Sequence, residues 1–249
     1  MFWIRFATGF LLSAVALGQE LPAGTVVPVK LSSGLNAKNA KAGKQIEGRV
    51  MQEVLLPGGA KISERSRVTA HIVRVSVPGS LEPESPGSSI VVKFDAIEDH
   101  GHTIPLTAAA LALASVDNVS QAQAPINSSP DREPMSQWVT RQVGGDVVNR
   151  GRGLVASHDG VVGTWLQATS VRIKLTPNPD AGCPGGVGYD REQAVWIFSS
   201  AACGTYGLGS VKIASSGGTA PLGEIVLKSS KNVSIRSGSG WLLIVAAQP

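Results

Sequence analysis

Apolar residues recur at every second position through much of this chain, the spacing of strands that rest one face on a core. Val27, Val29 and Leu31 share a face, and so do Ile46, Val50 and Val54, with Glu47, Arg49 and Glu53 turned the other way. These segments predict half-buried antiparallel strands. Across Val68 to Val77 the phase slips: Val68, Ala70 and Ile72 lie on one face, then Val73, Val75 and Val77 on the other. A bulge or sharp bend near Ile72 accounts for the slip. Strands follow at Ile90 to Ile97 and His102 to Thr107, joined by the turn-forming Glu98-Asp99-His100-Gly101. Others are predicted at Val161 to Leu166, Val171 to Leu175, Ala194 to Phe198, Val211 to Ala214, Gly223 to Lys228 and Trp241 to Val245. The last is a candidate to return to the first sheet, which would make the middle of the chain a long insertion.

Punctuation between these runs is dense. Gly and Pro together fill 44 of 249 positions (29 and 15), a composition that suits short strands joined by many turns. Pro78 to Ser89 carries no pattern and predicts a loop. Val116 to Met135 is rich in Gln, Asn, Ser and Pro and poor in large apolar residues, which marks a polar linker. Beyond it, Pro134 to Val148 is expected to form one short helix with Val139, Val143 and Val147 on a face, weakened by Gly144-Gly145. The fold class expected is mainly β with little helix. An antiparallel β-barrel or sandwich-like region over 19–115 is followed by a linker or loop over 116–135 and a second, disulfide-containing β region over 136–249.

The first residues bear on compartment. Met1 to Arg5 supplies a short positive region, Phe6 to Leu17 an uncharged and mostly apolar stretch, and Ala16-Leu17-Gly18 the small residues a signal peptidase reads. Cleavage is expected between Gly18 and Gln19. The apolar stretch is shorter than the ~20 residues a membrane helix needs, so no span is expected in the mature chain. Cys183 and Cys203 are the two cysteines, an even count in a chain bound for an oxidising space, and are expected to pair. The expected location is periplasmic or secreted. A surplus of four positive charges, falling to three with Arg5 removed, is too diffuse to single out a nucleic-acid partner.

Two turns echo each other, Leu21-Pro-Ala-Gly-Thr25 and Leu56-Pro-Gly-Gly-Ala60, each leading into a strand. With Val-Val-Pro-Val-Lys-Leu31 and Gly43 before the next strand, they resemble the β-barrel domain of the scaffold subunit that bridges the envelope in type IV secretion and conjugation systems. The likeness covers about residues 20 to 75. It implies a barrel there. Ser63 to Arg67 stands where that family has a glycine, and the family's N-terminal membrane helix and proline-rich spacer are missing, so channel assembly is not implied. Gln142 to Val148, Ala194 to Ser200, Cys203-Gly-Thr-Tyr-Gly207 and Ser237 to Trp241 are similar to uncharacterised exported proteins of acidobacterial type. That likeness implies export and brings no activity.

Candidate chemistry is sparse. His100-Gly-His102, with His71, His158 and Asp99 as further ligands, offers a metal site, but exposed turn histidines are the simpler reading. Asp95, Glu98 and Asp99 are the carboxylates a glycosidic acid–base pair would draw on, Asp95 and Asp99 sharing a face if the strand runs that far. No Gly-x-Ser-x-Gly elbow occurs, and Ser237-Gly-Ser-Gly240 reads as a turn. Gly151-Arg-Gly153 and Gly204 to Gly209 lack the context of a phosphate cradle. Lys38, Lys41 and Lys44, and Arg141, Arg150 and Arg152, form basic stripes suited to anionic envelope polymers or to plain solvation. Trp165, Trp196 with Phe198, and Trp241 are expected in the core, and Trp138 at the surface. Asn118, Asn127 and Asn232 begin chance sequons. No catalytic residue, metal or cofactor is assigned. Two classes remain: an envelope or extracellular protein that binds an envelope protein or polymer or serves a structural role, and an exported hydrolase using carboxylates from distant strands.

Overall fold

The computed structural model describes residues 20–78, 87–126, 139–149, 153–166, 170–214 and 222–247. The expected leader and the expected cut between Gly18 and Gln19 lie outside these residues. The chain begins with β1 (Val26–Leu31), β2 (Leu35–Asn36), β3 (Gln45–Val50), β4 (Val54–Leu55) and β5 (Lys61–Ile62). It continues with β6 (Arg67–Ser76), β7 (Ser88–Asp99), β8 (His102–Pro105), β9 (Ala108–Ala114) and the helix α1 (Val116–Gln123). After the helix come β10 (Val139–Arg141), β11 (Val147–Asn149), β12 (Leu154–Ser157), β13 (Gly160–Trp165), β14 (Val171–Lys174) and β15 (Glu192–Ala194). Last are β16 (Gly204–Tyr206), β17 (Val211–Ala214), β18 (Glu224–Ser229), β19 (Ser234–Ile235) and β20 (Gly240–Val245).

The fold is mainly β. One sheet runs β16-β9-β20-β1-β3-β6-β7-β18-β17, with β8 paired to the far end of β7, and curls into a nearly closed barrel. Its two ends meet where the Thr205 hydroxyl on β16 donates to the Val211 carbonyl on β17 at 2.8 Å. Strand β20 lies between β1 and β9, the return to the first sheet that the Trp241 to Val245 run suggested. Inside, Val27, Val29, Ile46, Val68, Ile72, Ile90, Leu227 and Leu243 build the core around Trp241. The Trp241 ring meets Phe94 edge-on, with centroids 5.6 Å apart.

The expected bulge is present. Register slips between Ile72 and Arg74 of β6, so Val75 and Val77 pack against the same core as Val68, Ala70 and Ile72. An extra residue inverts the pleat at the point where the apolar phase inverts, and the core face stays continuous. A second slip leaves Asp95 of β7 without an opposite number, between Phe94 (facing Ala70) and Ala96 (facing Thr69).

Strands β10 to β15 form a second sheet in sequence order, an antiparallel meander inserted between β9 and β16. Together with α1 it covers the outer face of β1, β9 and β20. Val26, Ala112, Ala114 and Leu242 point out of the barrel into a second core with Val148, Val155, Ile173, Trp196 and Phe198. Two buried glutamines stitch the layers. Gln52, in the break after β3, accepts from the Trp196 and Val171 amides at 2.6 and 3.2 Å and donates to the Val171 carbonyl at 2.9 Å. Gln193 of β15 reaches back, accepting from the Val26 amide at 3.2 Å and donating to the Gly24 carbonyl at 3.1 Å. Each side chain imitates a strand edge, satisfying backbone groups that the crossing of two sheets leaves unpaired.

Three expectations need correction. The linker of 116–135 opens instead as α1, capped by Ser115, whose hydroxyl accepts from the Asn118 amide; Val119 and Ala122 are buried in the second core. That burial, not composition, decides the helix. The helix expected at 134–148 is, over 139–148, the hairpin β10–β11; Gly144 and Gly145 adopt φ of 105° and 116°, which a helix cannot accommodate. The strand expected over Ala194 to Phe198 stops at Ala194, because Trp196 takes a left-handed φ of 53°. Its amide is held by Gln52 and its carbonyl by the Gln142 side chain at 3.0 Å.

Candidate functional site

Cys183 and Cys203 form a disulfide, as their count predicted. The bond stands where the meander hands the chain back to the barrel, Cys183 in the loop before β15 and Cys203 just ahead of β16. That loop begins at a short 3-10 turn over Pro179–Ala181, whose Asn178 side chain accepts from the Ala181 amide, and runs on as Gly182-Cys-Pro-Gly-Gly-Val-Gly-Tyr189. Glycine seats it on the barrel. A Cβ at Gly188 would lie 2.0 Å from the Gly24 carbonyl oxygen, and one at Gly24 would lie 2.3 Å from that of Val187. The Gln193 side-chain amide donates to both the Gly24 and Gly188 carbonyls, the latter at 2.7 Å. Only two backbones without side chains can approach this closely.

Between this loop and the outer face of β9 and β20 runs a groove of about 360 Å³, floored by Ala109, Leu111, Ile244 and Ala246 and walled by Cys183, Pro184, Val187 and Tyr189. The run Ala108–Ala114 makes it possible, since methyl side chains leave the sheet surface low where longer ones would fill it. A second cleft of about 220 Å³ lies across Ala109 to Leu111, bordered by the disulfide, Ile213, Glu224 and Val226. One carboxylate oxygen of Glu224, Oε2, is covered and has no hydrogen-bond partner among the described residues. Partial burial pushes the Tyr189 phenol above its ordinary value of 10.0, at which it is already a neutral donor in the physiological range. Neither the groove nor the importance of Tyr189 was anticipated from sequence. The glycine-rich stretch beside Cys183 was the available signal, but its docking surface at Gly24 is 164 positions from Gly188.

The histidines and carboxylates named from sequence do not converge. His100 (φ 47°) and Gly101 (φ 82°) are the two central residues of the β7–β8 hairpin, both in the left-handed region that this tight turn demands. His102 is exposed on β8, His158 sits in solvent beside Asp159 at 3.1 Å, and His71 pairs with Asp95 at 2.8 Å. Among the described residues no three His, Cys, Asp or Glu side chains are placed to hold a metal ion. Asp95 is thus taken by His71, Glu98 by Arg67 at 3.1 Å, and Asp99 by the Ser66 hydroxyl at 2.6 Å. Ser63, His100 and Asp99 superficially resemble a nucleophile, base and acid. The Ser63 hydroxyl (2.8 Å) and Asp99 (3.9 Å) both approach Nε2 of His100, however, whereas a relay needs the carboxylate on Nδ1. Burial pushes the Asp99 carboxyl up, but hydrogen bonds from Ser66 and Ser63 outweigh it and hold the group below its usual value.

Other candidates take bland places. Ser237 donates to the Ser32 carbonyl in a turn, and Gly204 to Gly209 is β16 and the turn after it. Lys38, Lys41, Lys44 and Arg141 are exposed; Arg150, Arg152, Trp138 and Asn127 lie outside the described residues. Trp196, Phe198 and Trp241 are buried and Trp165 is partly so. Asn118 accepts from the Ser115 hydroxyl, and Asn232 donates to Asn36.

Barrel, covering meander and disulfide-anchored groove define the chain as a mainly β protein with a preformed apolar recess. Comparison with protein-family models, with curated proteins and with solved structures finds no match.

Proposed function

We propose that this chain is an extracytoplasmic binding protein that holds a small apolar ligand in the groove between the Gly182–Tyr189 loop and the outer face of β9 and β20. The observation that carries the reading is the groove's construction: an apolar floor of low side chains under a wall fixed by a disulfide, a glycine–glycine contact and a buried glutamine. A volume of about 360 Å³ falls in the range of small-molecule sites, which are mostly apolar and largely preformed. Rigid walls lower the ordering cost of binding. The leader pattern and the disulfide support the compartment.

Titration with the neutral fluorophore N-phenyl-1-naphthylamine tests the site. Saturable binding by the parent is expected, together with its loss in Ala109→Trp, which fills the floor at an exposed position and should leave thermal unfolding unchanged. A parent that binds no fluorophore, or a variant that binds as well as the parent, overturns the groove as a binding site. N-terminal sequencing of exported protein tests the compartment, with Gln19 the expected first residue.

A further inference from the structure

Among the described residues lining the larger groove, Tyr189 has the one side chain bearing an oxygen or nitrogen; the rest are Gly, Ala, Pro, Cys, Val, Leu and Ile. Its hydroxyl makes no hydrogen bond to the described residues, although the ring is half-buried against the second core. The hydroxyl is not among the covered polar atoms that lack a partner, so water reaches it, and a ligand that brings an acceptor takes that water's place. None of the described residues lining the groove carries a charged side chain, so an ion entering it would lose hydration without compensation from them. Glu224, in the adjoining cleft, adds negative charge and works against acids in particular.

Resting on the groove reading above, we infer that the occupant is a small uncharged molecule with a carbonyl oxygen, which accepts from the Tyr189 hydroxyl while the apolar body lies over Ala109, Leu111 and Ile244. Tyr189 then sets orientation, and the floor supplies most of the affinity. A hydrocarbon of the same shape would bind through the floor alone and would not register the hydroxyl.

Acetophenone and ethylbenzene, which differ at a carbonyl against a methylene, make the test by displacement of N-phenyl-1-naphthylamine. Tyr189→Phe should weaken acetophenone about fivefold, the usual worth of one neutral hydrogen bond, and leave ethylbenzene unchanged. Because the hydroxyl has no partner among the described residues, the variant should unfold at the parent's temperature. Equal changes for the two compounds, no change for either, or displacement by neither overturns the inference. Fluorophore binding that Ala109→Trp abolishes leaves the groove itself standing in each of those cases. A parent that binds no fluorophore brings down both readings.

Discussion

Strands β3 and β20 belong to one barrel and face the same core, yet they read differently. In β3, Gln45–Val50, burial alternates strictly: Ile46, Gly48 and Val50 point inward while Gln45, Glu47 and Arg49 meet water. In β20, Gly240–Val245, both faces are covered, Trp241 and Leu243 by the barrel core and Leu242 by the meander. The pleat is the same on both sides. What differs is the solvent of the outer face, and an uninterrupted apolar run such as Gly-Trp-Leu-Leu-Ile-Val is the signature of a strand with a second layer on it. The Ala-rich β9 lies on the covered side too, and its exposed end is where the layer stops and the groove begins.

Substitutions at outward-facing positions should separate the two sides. Leu242→Ala, outward but fully buried, is expected to cost about 4 kcal/mol in urea unfolding. A cost below about 1 kcal/mol would mean the meander does not cover β20 in solution. Gln52→Leu keeps the volume but strands the Trp196 and Val171 amides, and about 2 kcal/mol should be lost. Hydrogen exchange should quicken first at those two amides, and an unchanged rate would remove the stitch.

Ser66→Ala acts at the β7–β8 turn, on the uncovered side, and should cost under about 1 kcal/mol at neutral pH. Its sign with pH is fixed by Asp99. A carboxyl held low when folded stabilises the fold above its ordinary value of 3.8 and loses that contribution as pH falls through the lower folded value. The gap between parent and variant should therefore close in acid; a gap constant down to full protonation would show that Ser66 does not act through Asp99. Arg49→Ala is the outward-facing counterpart of Leu242 on the bare side, and its unfolding midpoint should stay within about 0.5 kcal/mol of the parent.

Period-two patterning made the barrel strands legible, and the phase slip near Ile72 announced its bulge, because both are local consequences of the pleat. The paired cysteines were legible by count. The meander was harder: 139–148 carries valines at a spacing that suits a helix face, and only Gly144-Gly145 hinted at the turn that divides it. Helix α1 has two buried side chains, too few for a periodic signal, and depends on the sheet beneath it.

By itself the sequence determined class and local geometry: strands, turns, a disulfide, and low side chains along β9. Tertiary structure alone decided which outer faces stay wet, that Gln52 and Gln193 tie two sheets together, that His71 meets Asp95, and that Tyr189 and Ala109 line one groove. The reason is range. Patterning follows from interactions between neighbours along the chain, whereas Gly24 against Gly188, or Gln52 against Trp196, joins residues more than a hundred positions apart. Such contacts exist only after the sheets have chosen how to cross.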